Sequence, residues 1–129
     1  QMVQGGVNIP NSSVGVFGMT FKDNCPDTRN SKAIDLIREL ESWNVTVKVV
    51  DPWADRAEVQ QEHGISLVES TSLKDLSAII VTVGHDQFRN IGVEDFRSMC
   101  PAKGAVFGDL KAIYKKEVLS DAGFKVFRL

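Results

Sequence analysis

The chain has 129 residues, of which 43% are hydrophobic and 25% are charged, a composition that predicts one soluble globular domain with its own hydrophobic core. Lysine and arginine number 15 against 17 acidic residues, and this near-balance argues against a nucleic-acid-binding protein that relies on a broad basic face. No apolar run approaches the roughly 18 residues of a membrane-spanning helix, so we expect neither nucleic acid nor a membrane as a partner.

Residues 1–12 are polar and rich in Gly and Asn, which predicts a linker from an upstream domain, and we expect residues 13–129 to form the folded domain. Apolar or β-branched runs predict strands at 13–18, 45–50, 77–83, 105–109 and 124–127. Helical spacing of apolar residues predicts helices at 33–40, 55–62, 93–99 and 113–120. Residues 65–68 are either a brief strand or extended chain.

Strands that alternate with helices imply right-handed parallel crossovers. The predicted fold class is therefore α/β, a Rossmann-like doubly wound α/β/α sheet of about five mostly parallel strands. We expect the strand order 3-2-1-4-5, in which the crevice opens between the first and fourth strands.

An unusually long polar loop follows the first predicted strand, with the sequence GMTFKDNCPDTRNSK at residues 18–32. Strand-to-helix loops usually take roughly 2–6 residues, and this loop holds about twice that number. Open parallel sheets bind ligands at the carboxyl ends of their strands, where this loop begins. The loop therefore predicts an anion site, most simply for phosphate.

Lys22 follows the first strand and Lys111 follows the fourth, so in the expected topology the two cations face one crevice. Such a pair suits a diphosphate, because each ammonium group can approach a separate phosphate. The backbone N–H groups of Thr20 and Phe21 can add donors, and the Phe21 ring can pack on a base or sugar. The alternative is that both lysines are ordinary solvated loop residues.

Arg29 precedes the first predicted helix and has two interpretations. It either pairs with Asp27 to pin the loop or presents a planar fork to a phosphate on another domain. Asp51 ends the second strand, where a ribose-binding acid would stand. The segment Gly15-Val-Phe-Gly18 lacks the G-x-G-x-x-G spacing of a dinucleotide turn, which favours Asp51 as a strand stop that caps the next helix.

No catalytic constellation and no metal site is visible in the sequence. Cys25 and Cys100 each precede a proline, lie far apart and lack metal-ligand spacing, so we interpret both as structural or incidental thiols of a reduced, cytoplasmic protein. His85 follows the buried strand and either borders the crevice or is a turn histidine whose hydrogen bonds are satisfied locally.

The segment at 18–32 resembles the opening of the C-terminal, UDP-binding domain of UDP-glucose/GDP-mannose dehydrogenases. Similar short segments follow in the same order: DPWA at 51–54, HDQF at 85–88 and DLK at 109–111. The resemblance runs from about residue 13 to the end. The segment Asn24-Cys-Pro-Asp27 is similar to the branch that oxidises UDP-N-acetylhexosamines to UDP-N-acetylhexosaminuronates for capsule, Vi-antigen and O-antigen polysaccharides.

This resemblance implies an NAD-dependent oxidoreductase whose N-terminal NAD-binding domain and central dimerisation domain are missing here, with a full-length protein that is a homodimer or larger. It implies that Phe21, Lys22 and Lys111 contact the UDP-sugar and that Arg29 reaches the NAD held mainly by the N-terminal domain. Many relatives carry arginine at the position of Lys111, and a lysine keeps the charge but loses the bidentate fork. The family's catalytic cysteine belongs to the missing parts, so we expect this chain alone to be inactive.

The alternative is a stand-alone, non-catalytic module that binds a small ligand, such as a receiver-like regulatory domain. A receiver needs clustered acidic residues at the end of the first strand. Residues 18–22 supply Gly, Met, Thr, Phe and Lys instead.

Overall fold

The computed structural model of the protein describes residues 13–20, 32–100, 105–110 and 113–127. These residues form five strands: β1 (Ser13–Phe17), β2 (Thr46–Val50), β3 (Ala78–Val81), β4 (Val106–Asp109) and β5 (Lys125–Phe127). The helices are α1 (Lys32–Ser42), α2 (Arg56–His63), α3 (Asp86–Arg89), α4 (Val93–Met99) and α5 (Lys116–Asp121), with a 3₁₀ turn at Ser70–Ser72. The predicted linker at 1–12 lies outside the described residues.

The strands form one parallel sheet in the order β2-β1-β3-β4-β5, which confirms the predicted α/β class. The expected order 3-2-1-4-5 is wrong. The apolar β3 pairs with β1 and is buried along its whole length, because a strand without polar faces needs neighbours and covering layers on every side. The outer edge of β2 is instead met by residues 65–68, through one parallel bridge between Val49 and Leu67.

The observed order moves the point where the topology reverses. The chain passes from β1 outward to β2 and then returns to β3 on the other side of β1, so the reversal lies between β1 and β3. In doubly wound sheets ligands bind in the crevice beyond the carboxyl ends of the strands at this point. The residues after β1 and β3 therefore border the candidate site.

Two apolar clusters cover the two faces of the sheet. One contains Ile37 of α1 and Val59 of α2, and the other contains Phe88 of α3, Phe96 of α4 and Leu119 of α5. The second cluster is rich in aromatic rings packed edge to face. Aromatic rings favour such edge-to-face contacts, and here they join β1 and β4 to helices α3 and α4.

Helices α1 and α2 lie within one or two residues of their predicted bounds, whereas α5 and α3 depart from the prediction for local reasons. The last helix begins at Lys116 rather than at residue 113, because the backbone N–H groups of Ile113 and Tyr114 donate to the Asp109 carboxylate. Helix α3 stands where the sequence predicts a turn, since its four residues are too few to show helical periodicity. None of the helices in the described residues has the length and apolar character needed to cross a membrane.

Candidate functional site

The buried polar residues of the described chain gather at one edge of the sheet. They are Thr20, Asp51, His85 and Asp109, and each lies at or just beyond the carboxyl end of a different strand. Burial of a polar side chain is costly unless it forms hydrogen bonds. Four such residues on consecutive strand ends therefore mark an edge whose loops are held in fixed positions.

The Asp51 carboxylate accepts hydrogen bonds from several segments at this edge of the sheet. Its Oδ1 accepts hydrogen bonds from the backbone N–H groups of Trp53 (2.8 Å) and Ala54 (3.1 Å). Its Oδ2 accepts one from the backbone N–H of Met19 at 2.8 Å and lies 3.1 Å from Nε2 of His85. One carboxylate thus joins the segments that follow β1, β2 and β3.

The protonation state of Asp51 follows from these contacts. Burial alone raises the pKa of this carboxyl, but the contacts with His85 and with the backbone N–H groups of Met19 and Trp53 together outweigh burial and hold the pKa below its ordinary value. The group is therefore an ionised acceptor at neutral pH. The prediction that Asp51 acts as a strand stop is confirmed, although the N-cap of α2 is Asp55.

His85 connects Asp51 to Thr20. Its Nε2 lies 3.0 Å from Oγ1 of Thr20, and both residues are buried. Because an ionised carboxylate can only accept, the contact with Asp51 requires the proton to be on Nε2. His85 is thus a buried histidine with satisfied hydrogen bonds at the crevice, which combines the two interpretations offered by the sequence.

The chain leaves β1 through a constrained glycine. Gly18 has φ of +107°, and a Cβ atom placed there would lie 2.5 Å from Cγ2 of Val83. The backbone N–H of Gly18 donates to the carbonyl oxygen of Val50, and the Thr82 hydroxyl donates to the carbonyl oxygen of Gly18 at 2.7 Å. Gly18 is therefore bound to the ends of both strands that flank β1.

Asp109 organises the turn after β4. Its carboxylate oxygens accept from the backbone N–H groups of Ile113 (3.1 Å) and Tyr114 (2.9 Å), which brings the two ends of this turn together. The Tyr114 hydroxyl donates to the carbonyl oxygen of Phe88 in α3, and burial raises the pKa of this phenol well above its ordinary value. Asp109, Ile113 and Tyr114, the described residues on either side of positions 111 and 112, are thus held together.

A cleft of about 360 Å³ opens beside Asp51 at the end of β2. Its walls include the apolar side chains of Val50, Val68 and Ile91, and Arg56 on its wall forms an ion pair with Glu69. A Rossmann dinucleotide site would place a ribose here against a free acid. A carboxylate offers about four lone-pair positions, and four donors already occupy those of Asp51. This edge of the sheet therefore lacks the free carboxylate with which a Rossmann dinucleotide site would bind the ribose of NAD.

The four predicted ligand-binding residues lie outside the described residues: Phe21, Lys22, Arg29 and Lys111. Their roles stay predictions. Their described neighbours in sequence, Thr20 and Leu110, stand at the carboxyl ends of β1 and β4. With the observed strand order, β3 stands between the two strands that lead to Lys22 and Lys111, so the expected pairing of these strands as neighbours is corrected.

Of the two cysteines, the structure describes Cys100. Cys100 is fully buried, and burial raises its pKa to about 12, which confirms the interpretation as a structural or incidental thiol rather than a nucleophile. Cys25 lies outside the described residues. The described part of the chain contains no cluster of three or more His, Cys, Asp or Glu side chains that could hold a metal ion.

The sequence does not predict the hydrogen-bond link from Asp51 through His85 to Thr20. Asp51 and His85 stand out individually as polar residues at strand ends, but their mutual contact spans 34 positions and depends on the strand order. Asp109 offers a similar signal, an acid that closes a buried apolar run before a turn.

The sequence matches the UDP-glucose/GDP-mannose dehydrogenase family, UDP binding domain, over residues 15–116. A UDP-N-acetyl-D-glucosamine 6-dehydrogenase of Salmonella typhi is 42% identical over 116 residues, which are 90% of this chain and 27% of that protein. A protein of the same name from Pseudomonas aeruginosa is 35% identical over the same share of each chain. The chain therefore spans about a quarter of the length of these relatives.

Solved structures support the fold. The structure of an NDP-N-acetyl-D-galactosaminuronic acid dehydrogenase from Methanosarcina mazei Go1 superimposes with a TM-score of 0.87 at 17% identity, covering 98% of this chain and 26% of that one. At this identity the likeness concerns the fold alone.

Proposed function

This chain belongs to the UDP-glucose/GDP-mannose dehydrogenase family through its UDP-binding domain, and from that premise we propose that it binds the UDP moiety of a nucleotide-sugar at the carboxyl edge of β1 and β3. The full protein would be an NAD-dependent nucleotide-sugar 6-dehydrogenase. The substrate class that we propose is a UDP-N-acetylhexosamine, oxidised at C6 to the uronate, because both relatives named above are UDP-N-acetyl-D-glucosamine 6-dehydrogenases.

The observation that carries this proposal is the anchoring of residues 18–20 at the point where the topology reverses. Gly18, Met19 and Thr20 each form a hydrogen bond to the end of a neighbouring strand or to the segment beyond it. The backbone is therefore held in place up to the residue before Phe21. A ligand loop that starts from fixed atoms loses less conformational entropy when it binds.

In the proposed site Phe21 and Lys22 contact the UDP group and Lys111 meets it from the loop after β4. Two ammonium groups match the two phosphates of UDP, and the ring of Phe21 offers a face for the base or sugar. Asp109 supports this arrangement, because its carboxylate holds Ile113 and Tyr114, which follow position 111 closely in sequence.

We assign NAD mainly to an N-terminal domain outside this chain, with Arg29 reaching toward it. The lack of a dinucleotide glycine pattern and the occupied carboxylate of Asp51 support this division. The contribution of this chain to the reaction is positional. Anchoring UDP places the distant sugar carbon near the reactive groups of the other domains and raises their effective concentration.

The proposed organisation is a linker at 1–12, a UDP-sugar-binding domain at 13–129, and two further domains in a cytoplasmic homodimer or larger assembly. Surface-polysaccharide biosynthesis is the proposed setting. The receiver-like alternative is disfavoured, because residues 18–20 supply no acidic side chain at the end of β1.

The direct test is a calorimetric titration of the 129-residue chain with UDP, UMP, uridine and NAD. We expect UDP to bind more tightly than UMP, and UMP more tightly than uridine, with an affinity for UDP that falls as salt rises. We expect NAD to bind more weakly than UDP. Equal affinities for UDP and uridine, or tighter binding of NAD, would refute the proposed site.

A further inference from the structure

We propose that His85 is a positioning residue for the ligand loop, which acts by holding Thr20 and thereby fixes the direction in which the chain leaves β1. The proposal deepens the UDP-binding function and rests on it. His85 itself need not touch the ligand; its contribution would appear as UDP affinity.

The geometry that carries this proposal is a contact across the reversal point. His85 follows β3 and Thr20 follows β1, and Nε2 of the imidazole lies 3.0 Å from Oγ1 of Thr20. The same nitrogen lies 3.1 Å from Oδ2 of Asp51 after β2. One N–H group is therefore shared between oxygens that belong to the segments after two other strands.

The orientation of the imidazole is set by packing as well as by hydrogen bonds. Its centroid lies 5.2 Å from that of the Phe88 ring and 6.3 Å from that of the Trp53 ring. His85 is fully buried and Thr20 is 2% exposed. A ring enclosed in this way cannot turn freely, so the position of Nε2 and of the hydroxyl beside it is fixed.

The functional consequence follows from chain connectivity. Thr20 is the residue immediately before Phe21, and Lys22 comes next. Binding groups must be held to within about half an ångström of their productive positions by the residues that support them. Loss of the contact with His85 would remove one of the hydrogen bonds that hold Thr20 in place next to Phe21.

Two pairs of variants separate positioning from general stability. Thr20→Val removes the hydroxyl at nearly constant shape, whereas Thr20→Ser keeps it. His85→Phe removes the ring N–H, whereas His85→Gln retains a donor of similar reach. Ile79→Val is the control for a small loss of core packing, because Ile79 is buried near the amino end of β3, away from the loop.

The measurements are UDP affinity by calorimetry and ¹⁵N order parameters of the Phe21 and Lys22 amides in the ligand-free chain. We expect Thr20→Val and His85→Phe to weaken UDP binding about five- to tenfold, the effect of one hydrogen bond. We also expect them to lower the order parameters at both amides. Thr20→Ser, His85→Gln and Ile79→Val should stay within about twofold of the unmodified chain.

Two results would overturn the proposal. One is unchanged UDP affinity and unchanged order parameters in Thr20→Val and His85→Phe. The other is equal effects in Ile79→Val. A chain that binds no UDP would refute the proposed function separately, and the order parameters alone would then decide whether His85 positions the loop.

Discussion

Nε2 of His85 lies 3.1 Å from Oδ2 of Asp51, and both side chains are enclosed by the protein. Because β1 stands between β2 and β3, this contact passes over the end of β1 and joins the segments beyond its two neighbours. The chain leaving β1 is bound to both members of the pair, through the Met19 N–H and the Thr20 hydroxyl. The pair thus closes the edge at which the ligand loop begins.

Replacement of Asp51 by asparagine should lower the free energy of unfolding by about 3 kcal/mol. Four donors face the two carboxylate oxygens, and an amide would present N–H groups of its own to some of them. Urea denaturation measures the change. Asp55→Asn is the matched control, since Asp55 is exposed and asparagine caps a helix equally well. Equal stabilities of the two variants would contradict the role given to Asp51.

The contribution of Asp51 to stability should depend on pH. The folded pKa lies below the unfolded one, so this contribution is fully present above the ordinary carboxyl pKa of about 4 and is lost as pH falls through the folded value. The difference in unfolding free energy between the unmodified chain and Asp51→Asn should therefore narrow as the pH is lowered from about 5 into the acidic range below the ordinary carboxyl pKa. A constant difference over this range would show that ionisation of Asp51 contributes nothing.

Gly18→Ala should destabilise the chain by more than about 2 kcal/mol. The new methyl group would meet Val83 at 2.5 Å and Thr82 at 2.8 Å, in addition to the strain of a positive φ. Gly64→Ala is the control for strain alone, because Gly64 has φ of +67° and a Cβ added there would meet no atom of the described residues within 4 Å beyond its own chain neighbours. We expect it to cost about 1 kcal/mol in the same urea experiment. Similar losses of unfolding free energy in the two variants would show that the contacts with Val83 and Thr82 do not destabilise Gly18→Ala.

Lys22→Ala should weaken UDP binding by about tenfold and leave uridine binding nearly unchanged, because the ammonium group is assigned to a phosphate. Lys74→Ala makes the same charge change at an exposed position before β3, at the opposite edge of the sheet, and should have little effect. Calorimetry provides both affinities. Loss of uridine and UDP binding in equal measure would place Lys22 elsewhere than on a phosphate.

Much of the fold could be predicted because its signals are local. The alternating β-branched run of β2 predicts that strand, Gly64 ends α2 in the left-handed conformation that glycine favours, and helix α4 has its predicted bounds. The position of β3 could not be read in the same way. A wholly apolar strand must be central, but its sequence does not state which strands lie beside it.

In the candidate site, too, single residues could be predicted from local sequence, whereas their contacts could not. Asp51 and His85 could be singled out individually because each follows an apolar run, yet the chain of contacts from Asp51 through His85 to Thr20 depends on three strands lying in the observed order. The choice of Phe21, Lys22, Arg29 and Lys111 comes from the loop motif and its resemblance to a family. Their assignment to a ligand therefore needs a binding experiment.

The most direct test of the central claim is to titrate the ¹⁵N-labelled chain with UDP and follow every backbone amide. We expect the largest shifts at Phe21, Lys22 and Lys111, with smaller shifts at Met19 and Thr20, which contact Asp51 and His85. Shifts centred on the cleft beside Asp51, around Arg56 and Glu69, or no shifts at millimolar UDP, would contradict this claim.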